Sequence, residues 1–115
     1  MQHNVSLVRH NTFGLSSIAE QYLALTDLAQ LEGPEFKQAP DMVLGGGSNM
    51  VLLETIPGLT VHVLLGGVTK LTDSTTDNRQ PITLRVGAGV DWYQLVRYNL
   101  DQGWYGLESL ILITG

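Results

Sequence analysis

Apolar positions along this chain fall into short runs separated by glycine and polar clusters, and one later stretch repeats with a helical period. The segments "LTVHVLLGG" (59–67) and "ITLRVGAG" (82–89) are short, β-branched and bounded by turn residues, so both predict strands. The polar stretch "DSTTDNRQP", Asp73 to Pro81, reads as the loop or hairpin connection between them. Upstream, "SIAEQYLALT" fits either a strand or the start of a helix. The expected arrangement is a strand followed by a helix opening at Thr26 or Asp27, either of which can cap "LAQLE". In "DWYQLVRYNLDQG" the residues Trp92, Leu95, Val96, Asn99 and Leu100 fall three and four apart, so all but Asn99 make one apolar stripe of a helix. Asp91 can accept from the first-turn amides, and Gly103 can take the left-handed position past the end. The order is strand, helix, strand, glycine loop, strand, strand, helix, which predicts an α/β (α+β) domain.

The closing run "LESLILITG" is apolar or β-branched from Leu110 to Thr114. An element this hydrophobic belongs inside something. It is either a buried strand or turn of this domain, or part of a longer protein. Left exposed, "LILIT" is expected to drive self-association, a dimer being the simplest product.

The chain has 115 residues, 43% of them hydrophobic, which suits one globular domain. A net charge of −5 without any basic run argues against a nucleic-acid partner. A single bound diphosphate stays compatible with that charge, because backbone amides can hold it. Without cysteine there are no disulfides, zinc ribbons or thiol nucleophiles. His3, His10 and His62 share no ligand spacing and no carboxylate cluster, so they read as exposed or strand-borne residues and no metal is expected. The opening "MQHNVSLVRHNTFG" lacks the apolar stretch of a signal peptide, and no run reaches membrane-spanning length. A soluble cytoplasmic chain without membrane contact is expected.

The stretch "VLGGGSNMVLLE", Val43 to Glu54, carries the candidate chemistry. Successive glycines can adopt positive φ and admit another group close to the backbone, so their amides can converge on one point. A diphosphate matches such a nest, with the Ser48 hydroxyl and Asn49 amide as further donors. The competing reading is a tight turn, for which one or two glycines suffice. "GGGSN" is neither G-x-G-x-x-G nor a P-loop. In "VGAGVDWYQLV", Gly87 and Gly89 are explained at least as well by packing where a helix comes close to a strand end. Trp92 and Tyr93 read as packing rather than a base-stacking platform, since no basic residues interleave with them.

"HNTFG" near the start, "VLGGGSNMVLLE", and "RVGAGVDWYQLVRYNLDQGWYGLESLILITG", in this order and spacing, resemble the N-terminal part of the UDP-N-acetylenolpyruvoylglucosamine reductase (UDP-N-acetylmuramate dehydrogenase) family. The resemblance runs from about Asn11 to Gly115. It implies a vanillyl-alcohol-oxidase-type FAD-binding domain whose glycine loop grips the FAD diphosphate. That loop would be Gly45, Gly46, Gly47, Ser48, Asn49 and Met50, with a second cofactor-contacting stretch starting at Ile113 to Gly115. Family members commonly carry Pro-Gly where this chain has Thr114 and Gly115. In the family, NADPH reduces FAD, and hydride then passes to the enolpyruvyl group of a UDP-sugar, giving a peptidoglycan precursor. The family's substrate half, with its proton-donating serine and assisting arginine and glutamate, lies beyond Gly115, so no catalytic residue is assigned here. Ser16, Ser17, Ser74 and Ser109 have no motif partner, and Glu108 reads as a solvated or helix-end carboxylate. The chain alone is expected to be inactive. The alternatives are a standalone flavin- or dinucleotide-binding module and a self-associating structural fragment.

Overall fold

The computed structural model describes residues 1–71 and 81–110, in a mixed α/β arrangement. Strands β1 (Gln2–Ser6), β2 (Ile18–Leu25), β3 (Met42–Leu44) and β4 (Thr55–Val63) form one sheet in the spatial order β1, β2, β4, β3. β1 runs antiparallel to β2, whereas β2 and β3 both pair with β4 in parallel. Strands β5 (Val68–Lys70) and β6 (Leu84–Val86) make an antiparallel pair, and helix α1 (Trp92–Asp101) follows. The polar connection expected at Asp73 to Pro81 falls almost wholly outside the described residues, between two strands that pair as a hairpin would.

β4 is central, and Leu59, Thr60, Val61 and His62 are consecutively buried, as a parallel strand covered on both faces requires. One face carries Ala19, Tyr22, Leu44 and Ile56 against Leu7 and Leu52. Ala19 and Tyr22 share that face despite their odd spacing because the register slips between Ala19 and Gln21. Leu23, Leu25, Leu59 and Val61 form a second cluster, with Phe36 packed on it. Each fully buried leucine contributes on the order of 2–3 kcal/mol relative to exposure.

Three expectations need correction. The helix expected at Thr26 or Asp27 is a short 3-10 helix, Leu28–Glu32. Asp27 does cap it: its carboxylate accepts from Ala29 N at 2.8 Å, and the Gln30 side chain accepts from Asp27 N at 2.9 Å. None of its residues is buried, and the Gly33-Pro34 step follows, so no packing energy extends it. Second, Asn99 belongs to the buried stripe with Leu95 and Val96, although its Oδ1 has no hydrogen-bond partner among the described residues. Third, the close neighbour of Gly87 and Gly89 is a strand-to-strand segment rather than a helix. A Cβ on Gly87 would overlap the Leu65 and Gly66 carbonyls, and one on Gly89 would overlap the Leu64 backbone.

Asp91 Oδ1 accepts from Gln94 N at 2.9 Å to start α1, and Gly103 ends it at φ 78°. Lys70 on β5 sits 5.3 Å from the Trp104 ring, linking the hairpin to the region past α1. β1 and β5 were not foreseen. β1 is exposed at nearly every position and so shows no burial alternation, and β5 has three residues, too few for a period.

Candidate functional site

The glycine loop leaves the sheet where β3 ends, and Leu44, its last strand residue, is level with His62 on β4. β3 and β4 are parallel, so the loop starts at the carboxyl end of the strands, where open α/β sheets receive ligands.

The three glycines are not equivalent. Gly47 is buried at φ 72°, and a Cβ there would overlap the His10 carbonyl oxygen; its own carbonyl accepts from Thr12 N at 3.1 Å. Gly47 is therefore required by the fold itself. Around a Cβ placed on Gly45 there is no atom within 4 Å, its φ is not positive, and Gly46 is exposed. The expected run of positive φ values reduces to Gly47. Packing within the chain accounts for Gly47, whereas a Cβ on Gly45 would meet open space. An open, polar backbone ledge at a strand end fits a diphosphate.

Ser48 is half-buried and Asn49 exposed, while Met50 packs against the cluster around Leu7 and Leu44 and anchors the end of the loop. Gly115, the remaining expected cofactor contact, lies outside the described residues.

Sequence reasoning missed what supports the loop. Asn11 is buried, and its side chain organises the preceding turn: Nδ2 donates to the Leu7 and Leu15 carbonyls at 2.8 and 3.1 Å, and Oδ1 accepts from Leu15 N at 2.8 Å. The turn so fixed presents the His10 carbonyl to Gly47. Below the loop, the Tyr22 hydroxyl lies 2.6 Å from His62 Nδ1, and the His10 ring meets His62 edge-on with centroids 4.8 Å apart.

Burial pushes the Tyr22 hydroxyl upward from its usual range, so it stays a protonated donor at neutral pH. Burial lowers the His62 imidazole, and His10 lowers it further, while a hydrogen bond to the Gly45 backbone opposes both. The quoted "HNTFG" block was the available signal for Asn11, and nothing in the linear pattern pairs Tyr22 with His62.

Glu108 is exposed, and its carboxylate accepts from Gly106 N at 2.7 Å, which holds it below the usual carboxylate range. Its contacts are local to the 3-10 turn Glu108–Leu110. Around the loop, Phe13, Val51 and Leu53 expose 62%, 81% and 70% of their surface, an apolar rim for something to cover. Among the described residues no helix is long and apolar enough to cross a membrane.

No protein-family model matches the chain. Among curated proteins it is similar to the UDP-N-acetylenolpyruvoylglucosamine reductase of Chromobacterium violaceum, 40% identical over 97% of this chain and 33% of that protein. The same-named protein of Bacteroides fragilis is 36% identical over the whole chain and 34% of its own length. That of Bordetella pertussis is 42% identical over 91% of this chain and 30% of its length. The chain thus spans about a third of the curated relatives it matches.

Proposed function

The chain belongs to the UDP-N-acetylenolpyruvoylglucosamine reductase family, and from that premise we propose that it supplies part of an FAD-binding wall of such an enzyme. The residues that would hold the FAD diphosphate are Gly45, Gly46, Gly47, Ser48, Asn49 and Met50. Gly115 would start a second contact. The observation that carries this reading is the open space around Gly45, where a Cβ would meet no atom within 4 Å, beside the exposed Gly46. The domain would be of the vanillyl-alcohol-oxidase type, and the enzyme a cytoplasmic one of peptidoglycan synthesis.

When bound, FAD supplies hydride transfer from NADPH to the enolpyruvyl double bond of the UDP-sugar. The contribution of this chain is to bind and orient. Gly47 fixes the loop against the Asn11 turn, Met50 anchors its far end, and the Gly45–Gly46 ledge ahead of them offers directed dipoles. Such donors act at short range, so the net charge of −5 does not oppose them. No side chain in these 115 residues is given a proton-transfer role, and the isolated chain is expected not to turn over.

The test is FAD fluorescence, titrated with the purified chain and with Gly46→Asp. Saturable quenching that disappears in the variant supports the reading. Quenching that the variant retains would overturn it, because a carboxylate on the ledge repels a diphosphate.

A second reading, self-association, is favoured by exposed Val51 and Leu53. The segment first suspected of it, Leu110 to Thr114, has no described side chains. A concentration-dependent sedimentation coefficient that FAD does not alter would support this alternative.

A further inference from the structure

The turn from Asn11 to Gly14 is held from several sides. Gly14 N donates to the Asn11 carbonyl at 3.1 Å, and Gly14 takes the left-handed position at φ 61°. The Asn11 side chain bonds the Leu7 carbonyl and both backbone groups of Leu15. The same turn is tied to the glycine loop, because Thr12 N donates to the Gly47 carbonyl at 3.1 Å. Thr12 and Phe13 are its two central residues, so the side chain at 13 stands on a fixed backbone, about 3.8 Å along the chain from that tie. Turn centres usually go to Gly, Pro, Asn, Asp or Ser. Here the residue is a phenylalanine with 62% of its surface exposed. The other phenylalanine of the chain, Phe36, packs on the cluster around Leu23 and Leu59. Among the described residues no other ring meets Phe13. Neither the turn nor the core gives a reason for an aromatic side chain at this position.

We propose that Phe13 is a stacking residue for the dinucleotide, its ring face receiving one of the two planar rings of FAD while the diphosphate lies on the Gly45–Gly46 ledge. The inference rests on the diphosphate reading above. Each ring of FAD hangs from the diphosphate by one linker, a ribose for adenine and a ribityl chain for the isoalloxazine. An aromatic face tied to the far end of the ledge therefore stands in reach of a ring that leaves the diphosphate on that side. Stacking needs only a π-face, so it adds affinity without any charged or hydrogen-bonding side chain. The turn is already fixed by Asn11 and Gly47, so no segment has to be ordered when the ring arrives.

The experiment uses the whole 115-residue chain with its phenylalanine rings isotope-labelled, Phe36 serving as the internal reference. The ligands are FAD, ADP, FMN and inorganic pyrophosphate. FAD is expected to move the Phe13 ring signals upfield and saturably while those of Phe36 stay in place, and pyrophosphate to bind without that ring-current shift. Whichever of ADP and FMN reproduces the shift identifies the stacked ring as adenine or isoalloxazine. Phe13→Leu keeps apolar bulk but has no π-face; it should weaken FAD binding about tenfold and leave pyrophosphate binding unchanged. Phe13→Tyr keeps the ring and should stay within about threefold of the wild type. Both variants alter an exposed side chain, so their melting temperatures should match the wild type. FAD that binds without moving the Phe13 ring would overturn the proposal. So would wild-type FAD affinity in Phe13→Leu, which would leave the exposed ring to a protein surface, or a Tyr variant as weak as the Leu variant. Pyrophosphate that binds the wild type but not Gly46→Asp upholds the diphosphate reading whatever Phe13 does. A ring shift that survives Gly46→Asp keeps Phe13 as a stacking residue and removes the diphosphate reading. If none of the four ligands binds, both fall.

Discussion

The Tyr22 hydroxyl and His62 Nδ1 are joined at 2.6 Å beneath the glycine loop, in a site that favours the neutral imidazole. The folded ring resists protonation, whereas the unfolded chain takes up a proton at about the ordinary value of 6.5. As pH falls below that value the unfolded state binds more protons, so stability declines, by at most about 1.4 kcal/mol per pH unit for one group. It is fully present above that value. Urea unfolding between pH 8 and pH 5 should show this slope in the wild type and a reduced one in His62→Gln. Equal slopes would remove His62 as its source.

Alanine at Gly47 and at Gly45 should separate folding from binding. Gly47→Ala must occupy φ 72° with its methyl on the His10 carbonyl, and is expected to cost at least about 2 kcal/mol. Gly45→Ala meets open space and should change stability by less than about 0.5 kcal/mol, yet it should weaken FAD binding. Thermal melts and flavin quenching on the same two samples check both halves. A stable Gly47→Ala would show that the loop does not need its contact with the Asn11 turn.

Asn11→Ala deletes three hydrogen bonds from a buried side chain. At about 1 kcal/mol each, the expected loss is about 3 kcal/mol, with the Leu15 carbonyl and amide left to find water while the Leu7 carbonyl keeps the His10 amide. Chemical denaturation measures it. A loss under about 1 kcal/mol would mean that the turn is held by its backbone alone.

Gly89→Ala places a methyl inside the Leu64 backbone, next to the bond from Gly89 N to the Leu65 carbonyl at 2.7 Å. It should destabilise by about 2 kcal/mol or more, and amide exchange should quicken at Gly87 and Gly89 together. Unchanged exchange would show that the two segments part without consequence.

Those elements whose cause is local could be read from the sequence. β4, β6 and α1 carry β-branched or 3.6-residue patterns between turn residues, and Asp27, Asp91 and Gly103 occupy the caps their chemistry suits. β1 was hidden because its residues are exposed and its partner is supplied by β2. Asn99 contradicted its own polarity, since a helix face is buried as a stripe whatever stands on it. The glycine loop was legible as a feature, but its division of labour was not. The approach of the His10 carbonyl and a positive φ separate Gly47 from Gly45. The tyrosine–histidine couple depends on the register of two parallel strands, a long-range property that no periodicity encodes.

The parallel pairing of β3 with β4 has a mechanical consequence. From Leu44, level with His62, the chain must travel back to Thr55 before β4 can begin, about 23 Å at roughly 3.3 Å per residue. The segment 45–54 must do so without a helix, where such crossovers usually take a dozen residues or more. Its full reach is about 33 Å, which leaves roughly 10 Å for the bend at Gly47 and the turn at Ser48–Asn49. Lengthening it by two or three residues would leave the strand pairing in place, yet give the ledge more freedom than a ten-residue connection allows.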